Sequence, residues 1–304
     1  MKAIIPVAGY GTRLLPHTER YQKTLLPIAG KPALDFILEP LFDAGLKNIT
    51  FIVGHLKEQV IDHMKKFDGN FSFVEQIERL GLGHAVLTGL ENTDEPVLVQ
   101  LGDTIFDIDY FKFMNSKVNN IGVDEVDDPS RFGIVEVNND KIINFYEKHP
   151  NPPSNLAISG LYYFSHEKKL KSAIKELIQR DIKTNNEYQI TDALQIMVKR
   201  GEDFGVFPTP NYYDVGVPES FLSSNRKLLV TDHKVFPSSK IIEPVFIGDN
   251  CNIDNSIIGP YVTIMKDCNI VNSKIEDSII LKDSNIADKQ IIGKIAATDG
   301  NEYC

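Results

Sequence analysis

Cysteine is scarce in this sequence, which has three in 304 residues: Cys251, Cys268 and Cys304. None stands in a Cys-x-x-Cys pair, and the three fit a reducing, cytoplasmic setting better than a disulfide framework. Basic residues are outnumbered as well. The 32 Lys and Arg face 42 Asp and Glu for a net charge of −10, which disfavours a broad nucleic-acid surface, since phosphate backbones are bound through a basic footprint. No apolar run approaches the roughly 18 residues of a membrane helix. The apolar part of Met1-Lys2-Ala3-Ile4-Ile5-Pro6-Val7-Ala8-Gly9 is too short for a secretory signal. Tryptophan is missing altogether, which by itself excludes nothing. What is present, 42% hydrophobic and 24% charged residues, is an ordinary globular composition with length for one large domain or two smaller ones.

Over the first hundred or so residues, short apolar runs alternate with amphipathic helical patterns. Ala3–Val7, Ile49–Val53 and Val97–Leu101 read as strands buried on both faces, because β-branched and apolar residues occupy consecutive positions. After Pro32, Leu34, Ile37, Leu38, Leu41 and Phe42 recur at helical spacing up to Gly45, and Val60, Ile61, Met64 and Phe67 form a second such face. Strand and helix in alternation predict a mostly parallel sheet covered by helices. Ile134–Val137 and Ile158–Phe164 add strands. Leu170, Ile174, Leu177 and Ile178 mark a helix over 166–180, and Phe221, Leu222, Leu228 and Leu229 mark another that begins near Pro218.

Beyond about residue 232 the pattern changes. Isoleucines recur at 247, 253, 258, 264, 270, 275, 280 and 286, in steps of five or six residues. The octapeptide that starts at Cys251 also returns, in altered form, 17 residues later at Cys268. A hexapeptide-like period nested in a longer one predicts a parallel β-helix of about three coils, at roughly 18 residues each, with stacked isoleucines. Cys251 and Cys268 are expected to stack as small apolar groups.

The first strand runs into Gly9-Tyr10-Gly11-Thr12-Arg13-Leu14-Leu15-Pro16. A glycine-rich turn after a buried strand presents backbone N–H groups to one point and tolerates a ligand close by, which suits an anion. Two familiar versions fail. Leu14 stands where a dinucleotide fingerprint needs its last glycine, and Arg13-Leu14 stands where a P-loop needs Gly-Lys-Ser/Thr.

Ten residues after Arg13 comes Lys23-Thr24-Leu25-Leu26-Pro27-Ile28-Ala29-Gly30-Lys31-Pro32. With these two segments in this order, the chain resembles the sugar-1-phosphate nucleotidyltransferases, and most of all the thymidylyl- and uridylyltransferases that act on glucose 1-phosphate. Further matches follow in the family's order: Gln76 with Gly81-Leu82-Gly83-His84-Ala85, Leu101-Gly102-Asp103, Arg131-Phe132-Gly133-Ile134-Val135-Glu136, Glu147-Lys148, the stretch from Asn155 to Gly160, Glu187-Tyr188-Gln189-Ile190-Thr191-Asp192 and Tyr213-Asp214-Val215-Gly216. Thr24 replaces a glutamine usual in thymidylyltransferase-like members, and Tyr212-Tyr213 replaces a tryptophan.

The resemblance implies an α/β fold: a Rossmann-like nucleotidyltransferase domain with a mixed central sheet over residues 1–233, followed by a short left-handed parallel β-helix over 234–304. It implies that Ala8, Gly9, Gly11, Thr12, Arg13, Gln76, Gly81 and Asp103 bind a nucleoside triphosphate, dTTP or UTP. Gly133, Glu147, Lys148, Asn155 and Gly160 are expected to bind the sugar 1-phosphate. Asp103 and Asp214 are expected to hold Mg²⁺, and Arg13, Lys23 and Asp103 to carry catalysis. Such a reaction sets two polyanions against each other, so charge neutralisation and alignment supply most of the rate. No nucleic acid and no membrane is expected as a partner, and a homo-oligomer is.

Bland readings compete residue by residue. Arg13 and Lys23 compete as solvated loop cations, Asp103 as a cap, Glu147-Lys148 as a surface pair and His84 as a satisfied packing histidine. The joint order and spacing of the motifs overturn these readings. Asp192 is expected to cap the helix after it and is left out of the metal site. An acyltransferase, frequent on hexapeptide coils, needs a base that is commonly histidine, and all seven histidines precede the repeats. The repeats are therefore expected to serve assembly or regulation. A non-catalytic binding protein on the same fold would have lost one of the aspartates or phosphate-binding cations, all of which are present.

Overall fold

Lys2–Pro6, with Ala3, Ile4 and Ile5 fully buried, lies inside a nine-stranded sheet in the computed structural model, which describes residues 1–231, 234–297 and the backbone of 301–303. Asp232 and His233, where the expected domain boundary falls, and Cys304 lie outside the described residues. The chain forms two compact units, Met1–Gly9 with Ile37–Tyr212, and Tyr10–Phe36 with the chain from Tyr213 onward.

In the first unit, Lys2–Pro6 runs parallel to Asn48–Val53 on one side and Val97–Gln100 on the other, and Asn70–Glu75 extends the parallel part beyond Asn48–Val53. Leu156–Phe164 then pairs antiparallel with both Val97–Gln100 and Asn119–Glu125, so the sheet is mixed. Phe204–Pro208, Lys141–Glu147 and Gly133–Asn138 complete it. Lys2–Pro6, Asn48–Val53 and Val97–Gln100 are buried along most of their length, as expected of parallel strands covered on both faces, whereas Asn70–Glu75 at the edge is partly exposed throughout. Of the expected helices, Lys57–Met64 and Glu167–Gln179 form in this unit, Ala33–Asp43 forms across the division between the units, and Pro218–Leu228 forms in the second unit. Phe67 falls three residues beyond Lys57–Met64. Glu167–Gln179 turns Leu170, Ala173, Ile174 and Leu177 inward, all with no exposed surface, against the core that Leu194 and Met197 share. Asp192 does not cap the helix Ile190–Lys199. That helix starts two residues earlier with Gln189 at its cap position, and Asp192 sits in its first turn, where its carboxylate accepts the Thr184 hydroxyl at 2.9 Å.

In the second unit the repeats form parallel ladders, consistent with a β-helix. One ladder stacks Ile253 on Ile270 on Ile286, another Ile258 on Ile275 on Ile291, and a third Ile247 on Ile264 on Ile280. Each coil therefore takes 17 or 16 residues. The stacked isoleucines are fully buried or nearly so, and Cys251 and Cys268 pack into the same apolar core. The corners are made by Asn250, Asp267 and Asp283, by Asn255, Asn272 and Asp288, and by Tyr261, Asp277 and Gly293, all at positive φ. Asn and Asp tolerate that left-handed conformation better than other side-chain-bearing residues. Amide side chains also stack along the coils: Asn252 donates to Asn269 at 2.8 Å and Asn269 to Asn285 at 2.7 Å.

Candidate functional site

Four of the residues expected to bind nucleotide come together inside the first unit. Ala8, Gly9, Gln76 and Gly81 line one cavity of about 250 Å³, with Pro6, Leu82 and Ala85. It opens where Lys2–Pro6 and Asn70–Glu75 reach their carboxyl ends, the place where open α/β sheets receive ligands. Gln76 is nearly buried and its main-chain N–H continues the sheet by donating to the Val53 carbonyl at 2.9 Å. Its amide Nε2 points at the Gly81 carbonyl from 3.4 Å.

Gly81 precedes the helix Leu82–Gly89 with φ +109°. A Cβ there would stand 2.7 Å from the Tyr188 carbonyl oxygen, so only glycine fits. The Gly83 N–H donates to the Tyr188 carbonyl and the Tyr188 N–H to the Leu80 carbonyl, both at 2.8 Å. The Glu187–Asp192 segment and the Gly81–Ala85 segment, a hundred residues apart in the chain, thus clamp each other. Glu187 and Arg79 also line the cavity and bring it one charge of each sign. Neither belongs to the set expected from sequence; the available signals are Glu187's place at the head of its motif and Arg79's position two residues before Gly81. His84 packs with its Nδ1 buried and with no hydrogen-bond partner among the described residues.

Asp103 follows the strand Val97–Gln100 in a turn held from two sides. The Leu101 N–H donates to the Gly160 carbonyl at 3.0 Å and the Gly102 N–H to the Pro6 carbonyl at 3.3 Å. Gly160 is buried, so it supports this turn from behind.

Gly133 and Glu147 face each other across paired antiparallel strands, and the Lys148 N–H donates to the Phe132 carbonyl at 2.9 Å. Burial pushes the Glu147 carboxyl above its usual range, and the Thr191 hydroxyl and the Lys148 charge pull it part of the way back. Lys148 Nζ lies 3.7 Å from Glu147 Oε1. Burial likewise raises the Asp192 carboxyl. Asn155 is exposed and its carbonyl accepts the Val126 N–H at 3.0 Å.

Arg13, Lys23 and Asp214 belong to the second unit. Thr12–Leu14 is a single 3₁₀ turn with Arg13 exposed at its centre. It starts from Gly11, whose carbonyl accepts the Leu14 N–H at 2.8 Å and the Thr18 hydroxyl at 3.0 Å. The Lys23 stem packs directly on Gly11: a Cβ there would be 3.2 Å from Lys23 Cβ. Lys23 opens a second 3₁₀ turn capped by the buried Gln22, which accepts both the main-chain N–H and the hydroxyl of Thr24, at 2.7 and 2.6 Å. Asp214 Oδ1 accepts the Gly216 N–H at 2.7 Å and so is oriented locally. Among the described residues no group of three or more His, Cys, Asp or Glu stands together to hold a metal by itself.

Residues 2–231 match the family described as nucleotidyl transferase. A bifunctional protein GlmU of Methanococcus vannielii is 32% identical over 344 residues, covering 100% of this chain and 80% of its own length. A glucose-1-phosphate thymidylyltransferase of Streptomyces antibioticus is 31% identical over 321 residues, covering 94% of this chain and 88% of its own. Among solved structures, a UDP-glucose pyrophosphorylase complexed with UDP-glucose is 28% identical and superposes with a TM-score of 0.64 over 74% of this chain and 97% of its own.

Proposed function

The chain belongs to the nucleotidyl transferase family, and from that premise we propose that it transfers a nucleotidyl group from dTTP to glucose 1-phosphate or a related sugar 1-phosphate. The observation that carries this reading is the cavity in which Ala8, Gly9, Gln76 and Gly81, from three separate sequence motifs, meet. A cavity of about 250 Å³ suits a nucleobase with part of its sugar, and Gln76 beside the Gly81 carbonyl supplies amide and carbonyl groups to read its edge.

In this reading Arg13 and Lys23 bind the triphosphate, and Arg13 neutralises charge that develops on the departing pyrophosphate. Gly133, Glu147, Lys148, Asn155 and Gly160 form the sugar-phosphate side, with Lys148 aligning the phosphate for in-line attack. An oxygen of the sugar phosphate bonds to the α-phosphorus, the bond from that phosphorus to the bridging oxygen breaks, and pyrophosphate leaves. The attacking oxygen is already anionic, so no general base is needed. The donor set of Asp103 and Asp214 is all oxygen, which fits Mg²⁺ of the kind held by one or two carboxylates together with substrate phosphates. When bound, the ion neutralises phosphate charge. The same reading assigns 1–233 to a catalytic domain and 234–304 to a left-handed β-helix.

UTP is the second reading. The run Gly81-Leu82-Gly83-His84-Ala85-Val86 leans towards uridylyltransferase-like sequences, and the structural relative above carries UDP-glucose. One pocket methyl group discriminates by only about 1–3 kcal/mol, so the base is decided by assay. Pyrophosphate release is measured with Mg²⁺ and glucose 1-phosphate across dTTP, UTP, CTP, GTP and ATP. Turnover led by dTTP supports the first reading, and turnover led by UTP selects the second. Silence across both nucleotides and a panel of sugar phosphates overturns both.

A further inference from the structure

Within the second unit the segment Tyr10–Phe36 is held by the repeats themselves. Asn225, in the helix Pro218–Leu228, has no exposed surface. Its Oδ1 accepts the main-chain N–H of Ala29 at 2.8 Å and the hydroxyl of Thr263 at 2.8 Å, and its Nδ2 points at the Tyr261 carbonyl from 3.4 Å. One amide therefore joins the turn at 29–30, which connects the short strands Pro27–Ile28 and Lys31–Pro32, to the second coil. Ala29 takes a positive φ of 46°, a strained conformation for a residue with a Cβ that surrounding contacts must hold in place.

Other contacts act at the same segment. The ring of Phe246, from the first coil, lies so close on Gly30 that a Cβ there would stand 2.6 Å from it. Tyr21 is half-buried, and both burial and the nearby negative charge of Asp283 push its hydroxyl above its usual range. The helix that carries Asn225 is itself tied to the coils: Arg226 grips both carboxylate oxygens of Asp277 through Nε and Nη2. Lys23 lies between these attachments: Tyr21 is two residues before it and Ala29 six after. Leu26, three residues after Lys23, is fully buried, and its carbonyl accepts the Ala33 N–H at 3.1 Å.

We propose that the C-terminal coils brace the segment that carries Arg13 and Lys23, and that Asn225 is the positioning residue through which they do so. This rests on the reading of Lys23 and Arg13 as triphosphate ligands. Asn225 touches no substrate; it sets the backbone that presents Lys23. The coils then contribute to nucleotide binding without containing a residue of the site.

The test uses the full chain with Asn225→Leu, which keeps the volume and deletes the amide, and Thr263→Val, which deletes one hydroxyl from a buried position in the second coil. Expected in Asn225→Leu is a loss of about tenfold or more in kcat/KM for the nucleotide, the order that a misplaced binding group costs. The KM for sugar 1-phosphate should stay within about twofold of the original, because the defect is local to the triphosphate side. Hydrogen exchange of the amides at 22–31 should accelerate while the rest of the chain keeps its protection. Thr263→Val should shift the same quantities in the same direction by about threefold, as expected for one buried hydrogen bond. The proposal is overturned by a folded Asn225→Leu protein with original exchange at 22–31 and an original nucleotide KM, or by equal losses for both substrates. Should Asn225→Leu fail to fold, unchanged exchange and nucleotide KM in Thr263→Val overturn it. Should the unmodified protein turn over no nucleotide and sugar phosphate pair, the catalytic reading fails separately. Exchange at 22–31 then decides the brace alone, faster exchange sustaining it and unchanged exchange overturning it.

Discussion

The carbonyl of Gly160 accepts the N–H of Leu101 at 3.0 Å, and the two residues press together so closely that a Cβ at 160 would stand 2.7 Å from the leucine's Cδ1. Gly160 lies in the strand Leu156–Phe164 at φ +98°, within the irregular stretch between Ile158 and Tyr162 where the pairing with Asn119–Glu125 shifts register. Gly160→Ala is expected to cost about 1–3 kcal/mol of stability. It should also displace the turn that carries Asp103. Urea denaturation and turnover check the two effects together; an active variant of original stability would refute this account of the turn.

At the cavity the expectation is sharper for binding than for folding. Gly81→Val puts a branched side chain where Tyr188 already stands, at φ +109°. The nucleotide KM should rise by about tenfold or more, on the order of 1–3 kcal/mol of strain and lost fit. Titration of a nucleoside triphosphate against the folded variant measures it, and unchanged affinity would remove Gly81 from the site.

The two aspartates give the metal prediction. Asp103→Asn and Asp214→Asn should each lower turnover by about a hundredfold or more, the order that a single preorganised electrostatic group supplies. Circular dichroism should be unchanged, because neither carboxylate is in an apolar core. Removal of divalent cations by a chelator should stop the unmodified enzyme, and added Mg²⁺ should restart it. Full turnover in the chelator would sink the assignment.

Glu147 and Asp192 make stability depend on pH. Burial raises both carboxyls in the folded chain. The folded state thus binds these protons more tightly than the unfolded state does. Their stabilising contribution is present below the ordinary carboxyl range and is lost as pH rises through the raised folded values. The pair Glu147→Gln with Asp192→Asn should therefore gain stability relative to the original chain as pH rises from about 4 to about 7. Denaturant titrations across that interval test the sign, and a relative gain that shrinks with rising pH would contradict it.

In the coils, Ile270 is fully buried between Ile253 and Ile286. Ile270→Ala should destabilise the chain by about 2–5 kcal/mol, the range for a large-to-small change in a packed core. A cost of less than about 1 kcal/mol by thermal or urea denaturation would mean that the isoleucine ladder is not close-packed.

Much of this was legible in residues close together in the chain. Ala3–Val7, Ile49–Val53 and Ile158–Phe164 announce their strands because both faces of a covered sheet are apolar. The helix Glu167–Gln179 announces itself through Leu170, Ile174 and Leu177. The helices Leu82–Gly89 and Ile190–Lys199 were harder to see: the first is small and glycine-rich, and the second carries in its first turn an Asp192 that looks like a cap and is not one. The corners of the coils carry Asn or Asp at most positions, with Tyr261 and Gly293 as exceptions, a pattern that the isoleucine period alone does not reveal.

By itself the sequence determined many of the element types, the existence of a coil repeat close to the 17 or 16 residues observed, and the motif order, because hydrophobic periodicity and turn chemistry act over a few residues. Only the tertiary structure decided that Tyr188 closes on Gly81, that Gly160 supports Leu101, and that Tyr10–Phe36 packs with the chain from Tyr213 onward. The bond from Ala29 to Asn225 spans 196 positions. No local period records such a pairing; it exists only because folding buries an amide whose hydrogen bonds must then be satisfied by whatever groups the packed core brings to it.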